Sequence, residues 1–360
     1  ADDERLTSVY LQRYCENAQR ALQIAPANSL TAESNKMGEQ LALVLAESKD
    51  QSVQVGRGLT RGTIQYDDDG KPVSCRLHVL TIGVSEYQHH PELQLGYADD
   101  DADALFAAWE ALSNGTVTSH EGGTLFKRGH FQKLKDEVAT KSAIIEAIDN
   151  IAQIATENDL VVVSLSGHGT VDEDGNFFFL PCDYRDQSLR ATAIWDQELR
   201  AMLTRRKSNA ILVLDACHSG AVTTIASRSA TTQELRNAMH RFASSQKGLI
   251  VLAASLSNQK ALEDQDFGHG VLTLALLEAL TGRYDKRAVE KLKSENITPP
   301  QLPKAHDSSG LITLADIQYY IELRVMGLSD RKQSATMNRM GGDLSLRDIP
   351  IRIEAVAKEL

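Results

Sequence analysis

Asn209-Ala210-Ile211-Leu212-Val213-Leu214-Asp215-Ala216-Cys217-His218-Ser219-Gly220 is the stretch on which the fold turns. Its run of branched apolar residues reads as a strand buried on both faces of a parallel sheet, and it carries a cysteine to its C-terminal end before breaking at Ser219-Gly220. Leu160-Val161-Val162-Val163-Ser164-Leu165-Ser166-Gly167-His168-Gly169 repeats the design with a histidine. Open α/β sheets build their sites beyond the carboxyl ends of neighbouring parallel strands, so this Cys and this His are expected to meet. They read as a nucleophile and its proton-transfer partner.

Composition narrows the classes. The 360 residues read as one large α/β domain with an extension. Lys+Arg 38 against Asp+Glu 49 leaves a net charge of −11, which argues against a phosphate-binding surface and for cationic substrates. No nucleic-acid partner is expected. No run of about 18 apolar residues is present, so no membrane partner is expected either. There is no secretory signal, and a first residue other than Met reads as a trimmed or excised piece of a longer protein. Cys15, Cys75, Cys182 and Cys217 lack CxxC or metal-finger spacing, which calls for neither a disulfide framework, zinc nor any other cofactor. A reducing cytoplasm fits best.

In chain order, residues 1–75 read as a helical extension plus a hairpin. Leu6, Tyr10, Tyr14 and Ala18 form one helical stripe and Met37, Leu41, Val44 and Leu45 another; they make either a helical pair packed on the main domain or a partner-docking module. Asp67-Asp68-Asp69-Gly70 is the hairpin turn, and Leu77–Gly83 the first core strand. Asp99, Asp100, Asp101 and Asp103 open a helix that runs to about Leu112. Carboxylates suit a first helical turn, but four exceed what a cap needs, so at least one is expected to serve a site. Thr140 caps the next helix, Asp172-Glu173-Asp174-Gly175 is a hairpin turn, and Ile194–Leu199 begins a helix. Residues 221–247 form a polar linker, Gly248–Ser255 a strand and Gly270–Leu277 a helix. Residues 283–310 read as a surface insertion loop, Thr313 with Asp316 as a cap for a helix ending near Gly327, and Leu344-Ser345-Leu346 with Ile349 and Ile351 as a last edge strand. About six strands alternate with helices, the pattern of a layered α/β sheet.

A thiol with an ordinary pKa of about 8.5 needs a proton acceptor to act at pH 7. His168 is the better acceptor, because His218 adjoins Cys217 on a strand and points to the opposite face, which leaves it a structural or supporting role. Asp215 lies two residues before Cys217 and Ser166 two before His168, each on the face of its neighbour. Asp215 there is either a receptor for a cationic side chain or an acceptor for local backbone amides.

Ser166-Gly167-His168-Gly169 and Asp215-Ala216-Cys217-His218-Ser219-Gly220 together resemble the caspase-like cysteine peptidases, nearest to the metacaspase and bacterial orthocaspase branch. Tyr97-Ala98-Asp99-Asp100-Asp101-Ala102 and Phe267-Gly268-His269-Gly270-Val271-Leu272-Thr273 extend the resemblance over most of a peptidase domain at 76–352. It implies a layered fold with an about six-stranded, mostly parallel sheet flanked by helices. It also implies a dyad of Cys217 and His168, an oxyanion hole from the backbone N–H groups of Gly169 and Cys217, and acyl-enzyme chemistry. The basic-specific S1 pocket falls on Asp215, Asp101 and Ser166, with Ala98 where metacaspases often carry cysteine. Ser255 and Ser257 border the groove and pair with a substrate strand.

Asp215 and His218 depart from the animal-caspase signature, which has Gln before Ala-Cys and Arg, Gln or Gly after, and so argue against cleavage after aspartate. Asp183 and Asp196 partly match the calcium cluster of activated metacaspases, but Trp195 replaces a second acid and no metal is expected. Arg228, Arg236 and Arg241 in the linker are candidate self-cleavage sites. The function expected is a latent, signal- or self-cleavage-activated endopeptidase for protein or peptide substrates with Arg or Lys at P1, in bacterial stress, cell death or antiviral defence, answering to a small-molecule or protein activator. The alternatives are a catalytically silent scaffold and a ligand-gated signalling module.

Overall fold

The structure, a computed structural model, describes residues 75–114, 125–205, 208–218, 248–255, 263–264, 267–294, 297–304, 311–329, 334–337 and 350–353. Cys15, the helical stripes and the hairpin of the expected extension, the 221–247 linker and Ser257 lie outside them.

The apolar runs form the middle of one sheet. β1 (Cys75–Gly83), β2 (Phe126–Lys135), β3 (Leu160–Val171), β6 (Asn209–His218) and β7 (Leu249–Ser255) are parallel, and β11 (Ser334–Met337) joins β7 antiparallel, in the order β11-β7-β6-β3-β1-β2. The hairpin strand β4 (Phe177–Phe179) folds back on β3, and β5 (Ile194–Trp195) pairs with β4. Every described residue of β3 is buried, as a central parallel strand between two helical layers must be. This is the mostly parallel, helix-flanked sheet expected from the sequence.

Helix α1 (Ala98–Ser113) packs on one face with α4 (Val271–Thr281) and α6 (Leu314–Leu328), where Leu105, Trp109, Leu272 and Ile321 meet Val79, Val162, Ile211 and Val213. Helices α2 (Lys141–Ile154) and α3 (Asp196–Arg205) cover the other, with Ile144, Ile148 and Leu199 against Leu80, Val161, Val163 and Leu212. The alternation of the strands divides these two sets. Thr140 caps α2 by accepting from the Ala143 N–H at 3.3 Å, and the Asp316 carboxylate accepts from the Thr313 N–H at 2.8 Å at the start of α6.

Three expectations need correction. The segment 283–310 is not a plain loop: it carries α5 (Lys286–Ser294), whose Ala288 and Leu292 are buried, and Tyr284 donates its hydroxyl to the Pro300 carbonyl at 2.7 Å. Ile351 belongs to β12 (Pro350–Ile353), which pairs with β10 (Leu311–Thr313) as a separate ribbon, whereas β11 and β2 are the edges of the main sheet; Leu344, Ser345, Leu346 and Ile349 lie outside the described residues. Cys75 opens the first core strand rather than ending the extension.

Candidate active site

β3 and β6 run in parallel register with Ser166 opposite Asp215, Gly167 opposite Ala216, His168 opposite Cys217 and Gly169 opposite His218. Neighbouring strands lie about 4.8 Å apart, so the backbones of His168 and Cys217 stand side by side. The site falls at the strand ends because β1 stops at Gly83, paired with Ser166, and releases the chain into the loop 84–97.

That loop holds the histidine. His168 is buried, its Nε2 donates to the Leu93 carbonyl at 2.8 Å, and its backbone N–H donates to the Tyr87 hydroxyl at 2.9 Å. The Tyr87 and His168 rings lie 5.3 Å apart, tilted by 32°. A carbonyl can only accept, so Nε2 carries the hydrogen and Nδ1 is the basic nitrogen of the neutral ring. Gly169 admits no side chain, since a Cβ there would stand 2.5 Å from the Phe177 ring. Tyr87 and Leu93 escape a reading of the sequence, because one contributes a hydroxyl and the other only its carbonyl.

Beside this pair lies an acidic pocket. Asp101, in the first turn of α1, and Asp215, near the end of β6, are both buried. Asp215 accepts from the Thr273 N–H at 2.9 Å and its hydroxyl at 2.8 Å; Asp101 accepts from His269 Nδ1 at 2.9 Å and from the Gly270 N–H at 3.2 Å. Gly270 separates the two acids: a Cβ there would meet Asp215 Oδ2 at 2.5 Å and Asp101 Oδ2 at 3.0 Å. Ser166 Oγ is buried and has no hydrogen-bond partner among the described residues, and Ala98 is buried at the start of α1. Burial pushes Asp101 up to about 7 against the pull of His269, and the nearby charge of Asp215 adds to the rise. Burial likewise raises Asp215, against its bonds from Thr273.

A family model described as the caspase domain matches residues 76–295. The chain belongs to the caspase family. No curated protein matches it significantly. Among solved structures, the crystal structure of protein GSU0716 from Geobacter sulfurreducens is similar at 16% identity, covering 78% of this chain and 99% of that one. Its TM-score is 0.47.

Within the caspase domain, the four acids that open α1 divide. Asp99 accepts from the Ser85 hydroxyl at 2.8 Å and pairs with Lys135 at 3.2 Å, Asp103 pairs with Lys133 and Lys135, and Asp101 alone turns into the pocket with Asp215. Asp183 accepts from the Lys141 N–H at 2.8 Å in the first turn of α2, and Asp196 pairs with Arg200 at 3.4 Å. Among the described residues no three His, Cys, Asp or Glu converge as metal ligands. Ser255 ends β7 opposite Ser334 of β11. Arg228, Arg236 and Arg241 fall outside the described residues. No described helix is long and apolar enough to cross a membrane. Thr273, His269 and Gly270 complete the acidic pocket, and the Phe267-Gly268-His269-Gly270 run is the signal that marks them.

Proposed function

We propose that this caspase-family chain is an endopeptidase that cleaves after Arg or Lys. The observation that carries the reading is the pair of buried carboxylates, Asp101 and Asp215, set on either side of Gly270 within one strand of the His168–Cys217 register. Two acids buried together, with neutral donors and one imidazole against them among the described residues, are stabilised by an incoming cation. A guanidinium or ammonium at P1 is such a cation, and the hydroxyl of Ser166 has an unfilled hydrogen bond to offer it.

In the chemistry that follows, Cys217 gives its proton to His168 Nδ1, and the sulfur attacks the carbonyl carbon of the P1 residue. The oxyanion takes hydrogen bonds from the backbone N–H groups of Gly169 and Cys217. The tetrahedral intermediate collapses to a thioester as His168 protonates the leaving amine. Water, deprotonated by the same histidine, then hydrolyses the thioester and restores the thiol. The Leu93 carbonyl fixes the imidazole in the tautomer that this sequence requires, and the Tyr87 hydroxyl anchors the backbone N–H of His168.

The bonds from Thr273 and His269 to the pocket acids favour a resting form that waits for a small-molecule or protein activator or for cleavage at Arg228, Arg236 or Arg241. Cysteines without disulfide spacing support action in the cytoplasm, and the orthocaspase resemblance supports a bacterial stress, cell-death or antiviral role.

Matched fluorogenic peptides ending in Arg, Lys or Asp, with and without calcium and beside a Cys217→Ala control, test the proposal. Hydrolysis after Arg and Lys that vanishes in the variant is expected. Hydrolysis after Asp overturns the pocket assignment, and turnover that survives Cys217→Ala overturns the dyad.

A further inference from the structure

The acidic pocket is already occupied by a residue of the chain. His269 forms β9 (His269–Gly270) with its neighbour, and its Nδ1 reaches Asp101 at 2.9 Å while its side chain keeps 24% exposure, so the ring touches both the buried acid and solvent. The Gly270 N–H binds the same carboxylate from below, and only a glycine fits there. A cation that reaches Asp101 along the exposed side of this ring meets the imidazole first.

Described groups on the elements around the ring bear on its charge. Asp101 and Asp100 come from α1, Asp215 from β6 and Asp285 from the turn before α5. Arg287 of α5 has Nη1 3.6 Å from a Cβ built on Gly268, Lys291 lies 4.6 Å above the Phe267 ring, and β8 (Glu263–Asp264) sets Asp264 opposite His269 in register. Burial lowers the basicity of the imidazole, but its hydrogen bond to Asp101 and the charges of Asp101, Asp100 and Asp285 outweigh that and hold it above its ordinary value.

We propose that His269 is the resident cation of the acidic pocket: it neutralises Asp101 in the empty enzyme and yields that carboxylate to the P1 side chain, thereby setting substrate affinity and its dependence on pH. This inference deepens the Arg/Lys reading and rests on it. A substrate cation and an imidazolium compete for one carboxylate, so binding of the first lowers the proton affinity of the second. The effect falls on KM, because His269 faces the P1 group and not the scissile bond. No covalent step is involved.

The imidazole itself can be followed. In the full chain carrying Cys217→Ala, the C2–H resonance of His269, assigned by its loss in His269→Gln, is titrated with and without agmatine, a small guanidinium ligand. The titration midpoint is expected to lie above that of an exposed histidine, to fall in Asp101→Asn, and to fall again when agmatine binds the unmutated pocket. In the active chain, His269→Gln keeps a hydrogen-bonding side chain without the charge. It is expected to lower KM for Arg peptides about tenfold at pH 6, a difference that disappears by pH 8.5.

A midpoint that agmatine leaves unmoved or raises, or a KM that rises in His269→Gln at pH 6, overturns the inference. Cleavage after Arg with an unmoved midpoint sinks it and leaves the peptidase reading standing. A midpoint that falls with agmatine in a chain that cleaves no Arg or Lys peptide keeps the resident cation and overturns the peptidase reading instead.

Discussion

Two buried carboxylates at opposite ends of the same sheet are treated in opposite ways. At the N-terminal end of β3, Asp159 accepts from the Arg76 guanidinium at 3.0 and 3.2 Å, from the Arg76 N–H at 3.2 Å, and from the Thr156 N–H and hydroxyl, both at 2.8 Å. Burial opposes its ionisation, but these donors outweigh burial and hold its pKa down to about 2. At the C-terminal end Asp101 has one imidazole and one backbone N–H, faces a second buried acid, and stands at about 7. Asp159 is surrounded by donors from Arg76 and Thr156 and its work is finished in the fold; the cationic partner of Asp101 among the described residues is the part-exposed His269, which on the proposed reading gives way to an entering group.

The strongest test of that contrast is substitution at the site end. Cys217→Ala and His168→Ala are each expected to lower kcat/KM for Arg peptides by a thousandfold or more while shifting the unfolding midpoint little. A stability loss as large as a core substitution would place these residues in the structural class with Asp159.

Next come the acids themselves, compared by urea unfolding and by kinetics. Asp159→Asn removes a charged acceptor from Arg76 and is expected to cost about 2 kcal/mol of stability with turnover per folded molecule retained. Asp101→Asn is expected to leave stability unchanged or raise it, since it relieves the repulsion from Asp215, yet to lower kcat/KM for Arg peptides about a hundredfold, or about 2.7 kcal/mol. Equal stability losses in the two variants would erase the distinction.

The pH dependences have opposite signs. Asp159 is depressed, so its stabilisation is complete above the ordinary carboxylate value of 3.8 and is lost as pH falls towards about 2. Asp101 is raised, so the folded state holds its proton more tightly and stability falls as pH climbs from 3.8 to about 7. Over that same upper range kcat/KM for Arg peptides is expected to rise, as the Asp101–His269 pair gives up its proton and the carboxylate is released to the P1 group. A flat profile between pH 5 and 8 would contradict the assignment of Asp101 to the P1 group.

The smallest effect is expected at Tyr87→Phe, which strips the hydroxyl from the His168 N–H and is worth about 1 kcal/mol, read as a severalfold fall in kcat with KM unchanged. A change in KM alone would move Tyr87 from holding the histidine to shaping the groove.

Much of this was legible in the chain. The continuous apolar runs of Leu160–Leu165 and Ala210–Leu214 announce buried parallel strands, because only a strand covered on both faces can dispense with alternation. The same logic hides β2: Phe126-Lys127-Arg128-Gly129-His130-Phe131-Gln132-Lys133-Leu134-Lys135 is an edge strand with mostly half-exposed residues, and its Lys133 and Lys135 bind Asp103 of α1 rather than the core. β11 is missed for a related reason, being four residues long and polar at Ser334 and Thr336.

What the sequence determined by itself was the pair of strands, the residues they carry to their ends, and the faces on which Asp215 and Ser166 lie, since a period of two is a local property of the chain. Which acid of Asp99, Asp100, Asp101 and Asp103 meets Asp215, and that Thr273, His269 and Gly270 reach across from the start of α4 to hold both, depends on how α1 and α4 pack against the sheet. Those distances span 58 to 169 positions of chain, and only the packed fold brings such separations within a hydrogen bond.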